Sequence, residues 1–324
     1  MNYKYLGKTG IQVSELCFGT MSFGGDANQK ESEKMFSACL NLGINFFDCA
    51  NTYNGGNSEK ILGKLIKADR DSLIITSKVF NATSNDINHQ GLSRRNITRA
   101  VESSLKRLNT DRIEVLFLHR WDPNTPIDET LRGLEDLVRA GKVLHLGASN
   151  FAAWQISKAI GVSVARGWSR LEVVQPMYSL VKRQAEVEIL PLAKEENLGV
   201  ISYSPLGGGL LSGKYSAGKQ PKGSRLVVNS VYAQRYRENW FFETASNLSR
   251  FAKKLGVHPV TLSLAWVMAN EMITAPIIGS RNLSQLQSSL AALEFEMTSE
   301  VYLAISQLSR NPPPATDRSE IQPL

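Results

Sequence analysis

Short apolar segments recur along the chain and alternate with longer segments of helical periodicity. The apolar segments are "LCFGTM", "INFFD", "SLIITSK", "IEVLFLH", "VLHLGASN", "LEVVQ", "GVISYS" and "ITAPIIGS". The segments between them include "KESEKMFSACLNLG", "SRRNITRAVESSLKRL", "IDETLRGLEDLVRAG" and "QAEVEILPLAKEENLG", whose apolar residues have helical spacing. Apolar strands that alternate with helices indicate a parallel sheet covered by helices, and eight such units close naturally into a barrel.

The pattern therefore predicts an α/β fold, a (β/α)8 TIM barrel, as a single domain over residues 1–324. An N-terminal β-hairpin is predicted in "YKYLGKTGIQVS", with Thr9 and Gly10 in its turn. A long loop is expected after strand 7, from Gly207 to about Asn239, ahead of two helical stretches. The Pro-rich tail, about 309–324, is expected to be extended. A doubly wound sheet is the alternative fold, but no G-x-G-x-x-G motif follows the first strand.

Composition narrows the class of protein. The chain has 324 residues, of which 42% are hydrophobic, enough for a sizeable core. The N-terminal "MNYKYLGKTG" lacks a signal-peptide core and the apolar runs are short, so we expect a cytoplasmic protein without membrane insertion. Three cysteines without ligand spacing fit a reducing compartment. The net charge of +7 comes from scattered basic residues, which argues against nucleic acid and favours a smaller anionic ligand.

Each predicted strand ends in a polar or small residue. Taken singly, each has an ordinary structural role: Asp48 as a helix N-cap, Lys78 as a solvated strand end, His119 as a bonded core histidine and Gln175 as a turn residue. In a parallel barrel the carboxyl ends of the strands converge on one face, where barrel enzymes hold their active sites. One site explains all of these positions together. They are Asp48, Lys78, His119, Ser149, Asn150, Gln175, Tyr203, Ser204, Gly279 and Ser280.

Tyr53, in the Gly/Asn-rich loop after Asp48, extends this set toward proton-transfer chemistry. A free phenol has a pKa near ~10, too high for an acid at neutral pH without help. An ammonium group at Lys78 would lower that pKa, Asp48 would hold the ammonium, and His119 would orient a carbonyl oxygen. This arrangement protonates a carbonyl but supplies no electrons, so it implies a hydride donor. The four histidines have no ligand spacing with other side chains, so no metal site is predicted.

At this point the sequence resembles the aldo-keto reductases, from the hairpin to about Leu293. The resemblance rests on "FFDCANTYNGGNSEKILG", "IITSKV", "LFLHRWDPNTPIDETLRGLEDLVRAGKVLHLGASN", "VVQPMYSL", "ISYSPLGGGLLSGKY" and "PIIGSRNLSQL". Within the family, "DPNTPIDETL", "SGKY" and the long seventh loop are most similar to the branch of the Shaker-type potassium-channel β subunits and related microbial and plant reductases.

The resemblance implies an NADP-dependent enzyme that reduces a small-molecule carbonyl with NADPH. It makes Tyr53 the general acid, Lys78 and Asp48 the pair that tunes it, and His119 the group that orients the carbonyl. It also implies contacts to the cofactor across the barrel mouth, with Arg281 and Ser280 at the adenosine 2'-phosphate. The implied cofactor-binding residues are Thr20, Met21, Asp48, Ser149, Asn150, Gln175, Tyr203, Ser204, Pro205, Leu206, Gly208, Lys214, Arg225, Gly279, Ser280, Arg281, Gln285 and Ser289.

Two departures from the family pattern bear on function. Ser289 stands where the family usually has Asn, which affects an adenine contact, and His119 stands where channel β subunits commonly have Asn, which favours an active reductase. A weakly catalytic, NADPH-binding ancillary or redox-sensing subunit remains the alternative function. The substrate-pocket walls are expected from Trp121, the seventh loop from Tyr232 to Phe242 and the tail, although Trp121 packing under a loop is an equal alternative. The sequence leaves the natural substrate and the oligomeric state open.

Overall fold

The barrel predicted from the sequence is present in the computed structural model, which describes residues 1–215 and 221–316. Within these residues, eight parallel strands form a closed barrel in the order β10-β3-β4-β5-β6-β7-β8-β9. A separate antiparallel pair, β1 (Tyr3–Tyr5) and β2 (Gln12–Ser14), precedes it. The barrel strands are β3 (Cys17–Gly19), β4 (Phe46–Asp48), β5 (Ile74–Val79), β6 (Ile113–Leu118), β7 (Val143–Ser149), β8 (Leu171–Gln175), β9 (Gly199–Ser202) and β10 (Ala275–Ile278). The (β/α)8 prediction is confirmed.

Helices cover the outside of the barrel, as the apolar periodicity of the connecting segments predicts. The helices are α1 (Gln29–Asn41), α2 (Asn57–Leu65), α3 (Arg94–Leu108), α4 (Ile127–Arg139), α5 (Ala153–Arg166), α6 (Ile189–Glu196), α7 (Arg225–Val228), α8 (Ser230–Arg235), α9 (Asn239–Lys254), α10 (Pro259–Met268), α11 (Leu283–Leu290) and α12 (Ser299–Ser306). Helices such as α3 and α4 bury one face, which is why their sequences combine apolar and charged positions, whereas every residue from Val260 to Val267 of α10 is buried.

Side-chain caps fix where several helices begin. The Asn28 side chain accepts a hydrogen bond from the Glu31 N–H at the start of α1, and the Ser93 hydroxyl accepts one from Asn96 N–H at the start of α3. These bonds satisfy N–H groups that have no partner within the helix. Gly43, the predicted glycine cap after α1, has a left-handed φ of +81°.

The sixth helical segment differs from the prediction. "QAEVEILPLAKEENLG" has helical spacing throughout, but the structure divides it into a 3-10 turn at Gln184–Glu186 and α6 at Ile189–Glu196. Pro191 explains the division, because proline has no N–H to donate to the carbonyl four residues earlier. Proline is tolerated only in a first helical turn, and α6 accordingly begins two residues before it.

The hairpin of β1 and β2 closes the end of the barrel where the strands begin. Leu6 and Val13 from the hairpin are fully buried in one cluster with the barrel-interior residues, including Phe46 and Phe117. Gly7 has a φ of +56°, and a Cβ at this position would lie 2.4 Å from the backbone nitrogen of Gly199. The hairpin thus contacts the start of β9 backbone to backbone, which leaves the carboxyl ends of the strands as the open side of the barrel.

The unit after β9 departs from the regular alternation, as predicted. A 3-10 turn at Gly207–Ser212 and the two short helices α7 and α8 precede α9. Residues 216–220 of this loop lie outside the described part. For the tail, residues 310–314 have no regular secondary structure, and the predicted extended conformation of residues 317–324 likewise falls outside the described residues.

Candidate active site

A cavity of about 720 Å³ opens at the carboxyl ends of the barrel strands. All of the site residues predicted from the sequence line this cavity except Thr20 and Lys78. The predicted residues in the lining are Met21, Asp48, Tyr53, His119, Ser149, Asn150, Gln175, Tyr203, Ser204, Pro205, Leu206, Gly208, Lys214, Arg225, Gly279, Ser280, Arg281, Gln285 and Ser289. The convergence of strand ends therefore brings together residues that are up to 268 positions apart, from Met21 to Ser289.

Asp48, the last residue of β4, is buried and fully bonded. Its Oδ1 accepts hydrogen bonds from Thr76 Oγ1 at 2.7 Å and from Gln175 Nε2 at 2.9 Å, and its Oδ2 contacts Lys78 Nζ at 2.5 Å. Because these partners come from β5 and β8, the carboxylate joins strands across the barrel interior. Asp48 is a buried hydrogen-bond acceptor here and not a helix cap.

Lys78 is buried on β5, which excludes the solvated strand end considered from the sequence. Its Nζ contacts Asp48 and also donates to the Cys49 carbonyl oxygen at 2.7 Å. Burial opposes the charge on this ammonium, but Asp48 and then Tyr53 outweigh it, so the pKa of Lys78 is raised. The Nζ atom lies 5.1 Å from the centroid of the Tyr53 ring. The phenol therefore has a permanent positive charge beside it.

Tyr53 begins a tight turn between β4 and α2. The next residue, Asn54, has a left-handed φ of +49°, and its side chain donates to the carbonyl oxygens of Met21 and Phe23, both at 2.8 Å. Asn and Gly tolerate left-handed backbone, which explains "YNGG" at this position. The turn is thus anchored to the loop after β3, and Tyr53 is held at the cavity wall.

The pKa of Tyr53 differs from the sequence-based prediction, which had Lys78 lowering it. Burial raises the pKa of Tyr53 to about 12, and the opposing effect of the Lys78 ammonium is the smaller of the two. The prediction treated the phenol as a solvated group, whereas desolvation disfavours the phenolate strongly in this wall. Tyr53 is consequently a protonated phenol at neutral pH.

His119 follows β6 directly and faces Tyr53, with the two rings edge to face at a centroid distance of 6.3 Å. Burial and then the Lys78 charge lower the pKa of His119 to about 4, so the imidazole is neutral at pH 7. The Asn81 amide nitrogen lies 3.3 Å from His119 Nδ1. An amide nitrogen can only donate, so this contact assigns the ring proton to Nε2. The histidine is therefore a neutral hydrogen-bond donor.

Polar groups at the ends of β7, β8 and β9 form one connected chain. Tyr203 OH donates to Asn150 Oδ1 at 2.6 Å, and Asn150 Nδ2 donates to the His119 carbonyl oxygen at 2.9 Å. Ser149 Oγ donates to the Gln175 carbonyl oxygen at 2.9 Å. Asn150 has a left-handed φ of +56°, a conformation that is uncommon outside glycine and is concentrated at functional sites.

The loop after β9 lines the next part of the cavity with backbone. Ser204 has a φ of +57° and Gly208 a φ of +66°, so both residues adopt left-handed backbone in this segment. A Cβ on Gly208 would lie 2.7 Å from the Tyr232 ring, which requires glycine at this position. Lys214, Arg225 and Arg281 also face the cavity. The pKa of Lys214 is lowered by burial and then by the charges of Arg281 and Arg225, which identifies a compact basic cluster.

The segment from β10 to α11 contains Ser280 and Arg281, the residues predicted to contact the adenosine 2'-phosphate. Asn282 caps α11 by accepting from Gln285 N–H, and Leu283 N–H donates to Glu31 at 2.8 Å, so these N–H groups of the helix start are already bonded. Arg281 forms an ion pair with Asp26 at 3.0 Å. The predicted anion site at this helix therefore depends on the Arg281 guanidinium more than on free helical N–H groups.

Thr20 is the predicted residue that the structure removes from the cavity. It is fully buried, and its Oγ1 donates to the Asp48 carbonyl oxygen at 3.1 Å and bonds with the Ser58 hydroxyl at 2.9 Å. The family resemblance implied a cofactor contact for Thr20, but its side chain points into the packing between β3 and α2. Thr20 therefore supports the backbone of Asp48.

Of the residues predicted to form the walls of the substrate pocket, some line the cavity and others pack elsewhere. Tyr232 lines the cavity, whereas Phe242 packs against Tyr215 at a ring-centroid distance of 6.4 Å. Trp121 packs against Phe151 and Trp154, with ring centroids 5.4 and 5.5 Å away, and is absent from the described lining. Trp121 thus packs against residues at the start of α5, and its role as a substrate wall stays a prediction.

Several lining residues were not predicted from the sequence. The spacing of Ser284 and Ser288, four residues apart on α11 beside Gln285 and Ser289, is a helical signal that could have found them. Arg235 falls within the predicted wall from Tyr232 to Phe242 but was not singled out there, and the others lack a local signal because the packing of distant segments brings them to the cavity. The additional residues are Gly19, Ser22, Gly209, Ser212, Arg235, His258, Val260, Ile277, Ile278, Ser284 and Ser288.

Two negative observations concern the residues that the structure describes. Among them, no group of three or more His, Cys, Asp or Glu side chains is arranged to hold a metal ion. In the same ranges, no helix has the length and apolar character needed to cross a bilayer.

The fold and site together define a class of protein: a (β/α)8 barrel whose polar centre, with tyrosine, lysine, aspartate and histidine, lies at the carboxyl ends of the strands. The chain belongs to the Aldo/keto reductase family, whose sequence model matches residues 15–310. The resemblance stated from the motifs is thereby confirmed. Membership implies an oxidoreductase, and enzymes of this family use nicotinamide cofactors.

Proteins similar to this chain include one named as an oxidoreductase and others named as potassium channel subunits. An uncharacterized oxidoreductase of Bacillus subtilis, YrpG, is 39% identical over 325 residues, covering 96% of this chain and 97% of the relative. A probable voltage-gated potassium channel subunit beta of Arabidopsis thaliana is 35% identical, covering 91% and 92%. A protein of the same name from Oryza sativa is 33% identical, covering 98% and 99%.

Proposed function

We propose that the protein is an NADPH-dependent reductase that converts aldehydes or ketones to alcohols, with Tyr53 as general acid. The observation that carries the proposal is the arrangement of a protonated phenol, a buried ammonium and a neutral imidazole around one wall of the cavity. Tyr53, Lys78 and His119 supply these groups, and Asp48 neutralises the ammonium. Tyr53 as proton donor and His119 as hydrogen-bond donor face the same part of the cavity. Together they would stabilise a carbonyl oxygen that gains negative charge during reduction.

The cavity residues fit a dinucleotide phosphate. Lys214, Arg225 and Arg281 form a basic cluster at one part of the cavity, while the amides of Asn150 and Gln175 lie at another, beside Tyr53. Phosphate groups suit guanidinium and ammonium donors, and a carboxamide suits amide and hydroxyl partners. Ser149, Asn150 and Gln175 would hold the nicotinamide carboxamide, and Tyr203 would stack on the ring. When bound, the cofactor supplies the hydride that the carbonyl carbon receives.

Each of the four polar residues has a distinct part in the proposed reaction. His119 Nε2–H donates a hydrogen bond to the carbonyl oxygen and fixes its orientation. Tyr53 then gives its proton to that oxygen, which becomes an alcohol. The phenolate left behind is stabilised by the Lys78 ammonium, which stays charged because Asp48 pairs with it. A Tyr53 pKa of about 12 keeps the acid protonated throughout the physiological range, and an alkoxide is still basic enough to take the proton.

The preference for NADPH over NADH is proposed to come from Arg281. Its ion pair with Asp26 holds the guanidinium at the cavity wall beside Ser280 and the start of α11. A 2'-phosphate would accept charge-assisted hydrogen bonds there, whereas the hydroxyl of NADH offers no charge.

The alternative function is an ancillary or redox-sensing subunit that binds NADPH and turns over slowly. The specific observation in its favour is that the relatives from Arabidopsis thaliana and Oryza sativa are named as potassium channel subunits. The complete set of Tyr53, Lys78, Asp48 and His119 supports the enzyme instead, because each member has a role in proton transfer.

The two functions are separated by measuring NADPH oxidation against a panel of aldehydes, ketones and dicarbonyls. We expect turnover on the order of 1 per second or faster with the better substrates, which is ordinary for enzymes. The Tyr53→Phe variant is the matched control for background oxidation. NADPH binding without turnover above that control on any carbonyl would reject the reductase and support the ancillary subunit.

A further inference from the structure

The positive charge of the cavity is divided between two places. Lys214, Arg225 and Arg281 influence one another at the basic cluster described above. Arg235, at the end of α8, also lines the cavity, but its charge acts on Tyr203, whose hydroxyl bonds to Asn150. Arg235 therefore shares the cavity with Tyr203 and Asn150, which lie at the end where His119 is found.

Arg235 is held in place by an aromatic ring and not by an acid. Its guanidinium carbon lies 5.0 Å from the centroid of Tyr232, and Arg225 lies 5.2 Å from the same centroid. Tyr232 thus supports both arginines through cation–π contact. Across residues 1–215 and 221–316, no carboxylate lies within ion-pair distance of Arg235, whereas the next arginine, Arg237, is paired with Glu238 at 3.4 Å.

A second cation adds to the positive potential near Arg235. Lys182 packs over the rings of Phe241 and Tyr236, at 4.5 and 5.5 Å from their centroids. Burial and then the Arg235 charge lower the pKa of Lys182, while Glu238 opposes this effect. A guanidinium that lines a cavity and has an ammonium nearby is suited to an anionic group of a ligand.

We propose that Arg235 binds a carboxylate carried by the carbonyl substrate, so that the enzyme prefers aldehydes or ketones that are also carboxylic acids. This proposal rests on the proposed reductase function and names its substrate class. The carboxylate pairs with Arg235 while the carbonyl lies between Tyr53 and His119, which leaves the basic cluster free for the cofactor phosphates. Arg235 is then a specificity residue that contacts the substrate away from the reacting atoms.

The test compares acids with neutral isosteres of nearly the same shape. The substrates are 4-carboxybenzaldehyde against 4-formylbenzamide, and succinic semialdehyde against 4-oxobutanamide, each with wild type, Arg235→Gln and Arg237→Gln. Since a charge-assisted hydrogen bond is worth about ten- to a hundred-fold in binding, wild type should prefer each acid by about that factor in kcat/KM. Arg235→Gln should remove the preference and leave the neutral substrates and the Kd of NADPH within about three-fold. Arg237→Gln should resemble wild type, because its partner Glu238 is a surface carboxylate.

A binding measurement keeps this proposal separable from the reductase proposal. Calorimetric titration of the NADPH complex with 4-carbamoylbenzoate and with terephthalamide uses ligands that the enzyme cannot reduce. Tighter binding of the carboxylate that is lost in Arg235→Gln and kept in Arg235→Lys supports the site even if no carbonyl is turned over. Equal affinity for both ligands in wild type overturns the proposal. So does a matched loss on acids and amides in Arg235→Gln, or a weakened NADPH complex, which would assign Arg235 to the cofactor.

Discussion

Gln175 and Asp48 are 127 residues apart in the sequence, and the amide nitrogen of Gln175 donates to the Asp48 carboxylate at 2.9 Å. This bond joins the residue proposed to hold the nicotinamide carboxamide to the residue that neutralises Lys78. With the amide nitrogen engaged, the amide oxygen of Gln175 is the atom left to accept from a ligand. The Asp48 carboxylate thus contacts both the proposed nicotinamide-binding residue Gln175 and the Lys78 ammonium beside Tyr53. A substitution at Asp48 or Gln175 should therefore change both cofactor affinity and the rate of proton transfer.

Replacement of Tyr53 by Phe tests the general acid. We expect kcat to fall by about 100- to 10,000-fold, the usual contribution of general acid catalysis, because Tyr53 is the phenol that lies beside the Lys78 ammonium at the cavity wall. NADPH affinity, measured by fluorescence titration, should stay within about two-fold. A variant that reduces a good aldehyde at more than about a tenth of the wild-type rate would remove Tyr53 from the reaction.

Replacement of Lys78 tests the buried charge pair. Lys78→Met keeps the aliphatic stem but leaves Asp48 as a buried, unpaired carboxylate, so we expect activity to be lost and stability to fall by about 3–5 kcal/mol in denaturant unfolding. The double variant Asp48→Asn/Lys78→Met removes both charges. It should recover most of the stability and none of the activity. Activity in the stable double variant would show that the ammonium is only structural.

Arg281→Ala tests cofactor preference. Loss of one or two charge-assisted hydrogen bonds, about 1.5–3 kcal/mol each, should weaken NADPH binding by roughly ten- to a hundred-fold. NADH binding should change little, and it serves as the internal control in calorimetric titrations. Equal losses for the two cofactors, or a wild type that prefers NADH, would contradict the assignment of Arg281 to the 2'-phosphate.

The depressed pKa of His119 predicts acid-sensitive stability. Since the folded-state pKa is about 4, against an ordinary value of 6.5, the unfolded chain takes up a proton below pH 6.5 that the folded chain does not. The stabilising contribution is complete above pH 6.5 and falls with decreasing pH, by about 3 kcal/mol at pH 4. His119→Asn should show a shallower pH dependence over this range in urea unfolding. Parallel curves for the two proteins would exclude a buried neutral histidine.

The backbone contact of the hairpin is tested with two glycines that share a left-handed φ. Gly10→Ala meets no atom within 4 Å, so it should cost only the backbone strain, roughly 1–2 kcal/mol. Gly7→Ala places a Cβ 2.4 Å from Gly199 N and should cost about 1–3 kcal/mol more, because the hairpin has to move from the barrel. Equal losses in thermal or urea unfolding would mean that the close approach has no energetic importance.

The parts of the structure that follow from local pattern could be predicted from the sequence. Apolar strands ending in polar residues indicated both the barrel and the position of Asp48, Lys78 and His119, because a parallel barrel places all strand ends on one face. Tyr53 was found because it follows such an end by five residues.

Features that depend on packing between distant segments could not be predicted. The raised pKa of Tyr53 reflects desolvation by the complete cavity wall, and the burial of Thr20 reflects how α2 packs on β3. Arg235 lies within the predicted pocket wall from Tyr232 to Phe242, but nothing in the sequence distinguished it there from an ordinary surface arginine. The start of α6 could have been predicted from Pro191. Proline has no backbone N–H, so a helix that contains it has to begin shortly before it, whatever the apolar spacing upstream.

The closure of one barrel end by the N-terminal hairpin has a practical consequence for protein engineering. Met1 and the first strand lie at the end opposite the cavity, where Leu6 and Val13 are packed into the interior. An affinity tag, a fluorescent protein or an immobilisation anchor joined ahead of Met1 would therefore face away from the mouth through which ligands enter.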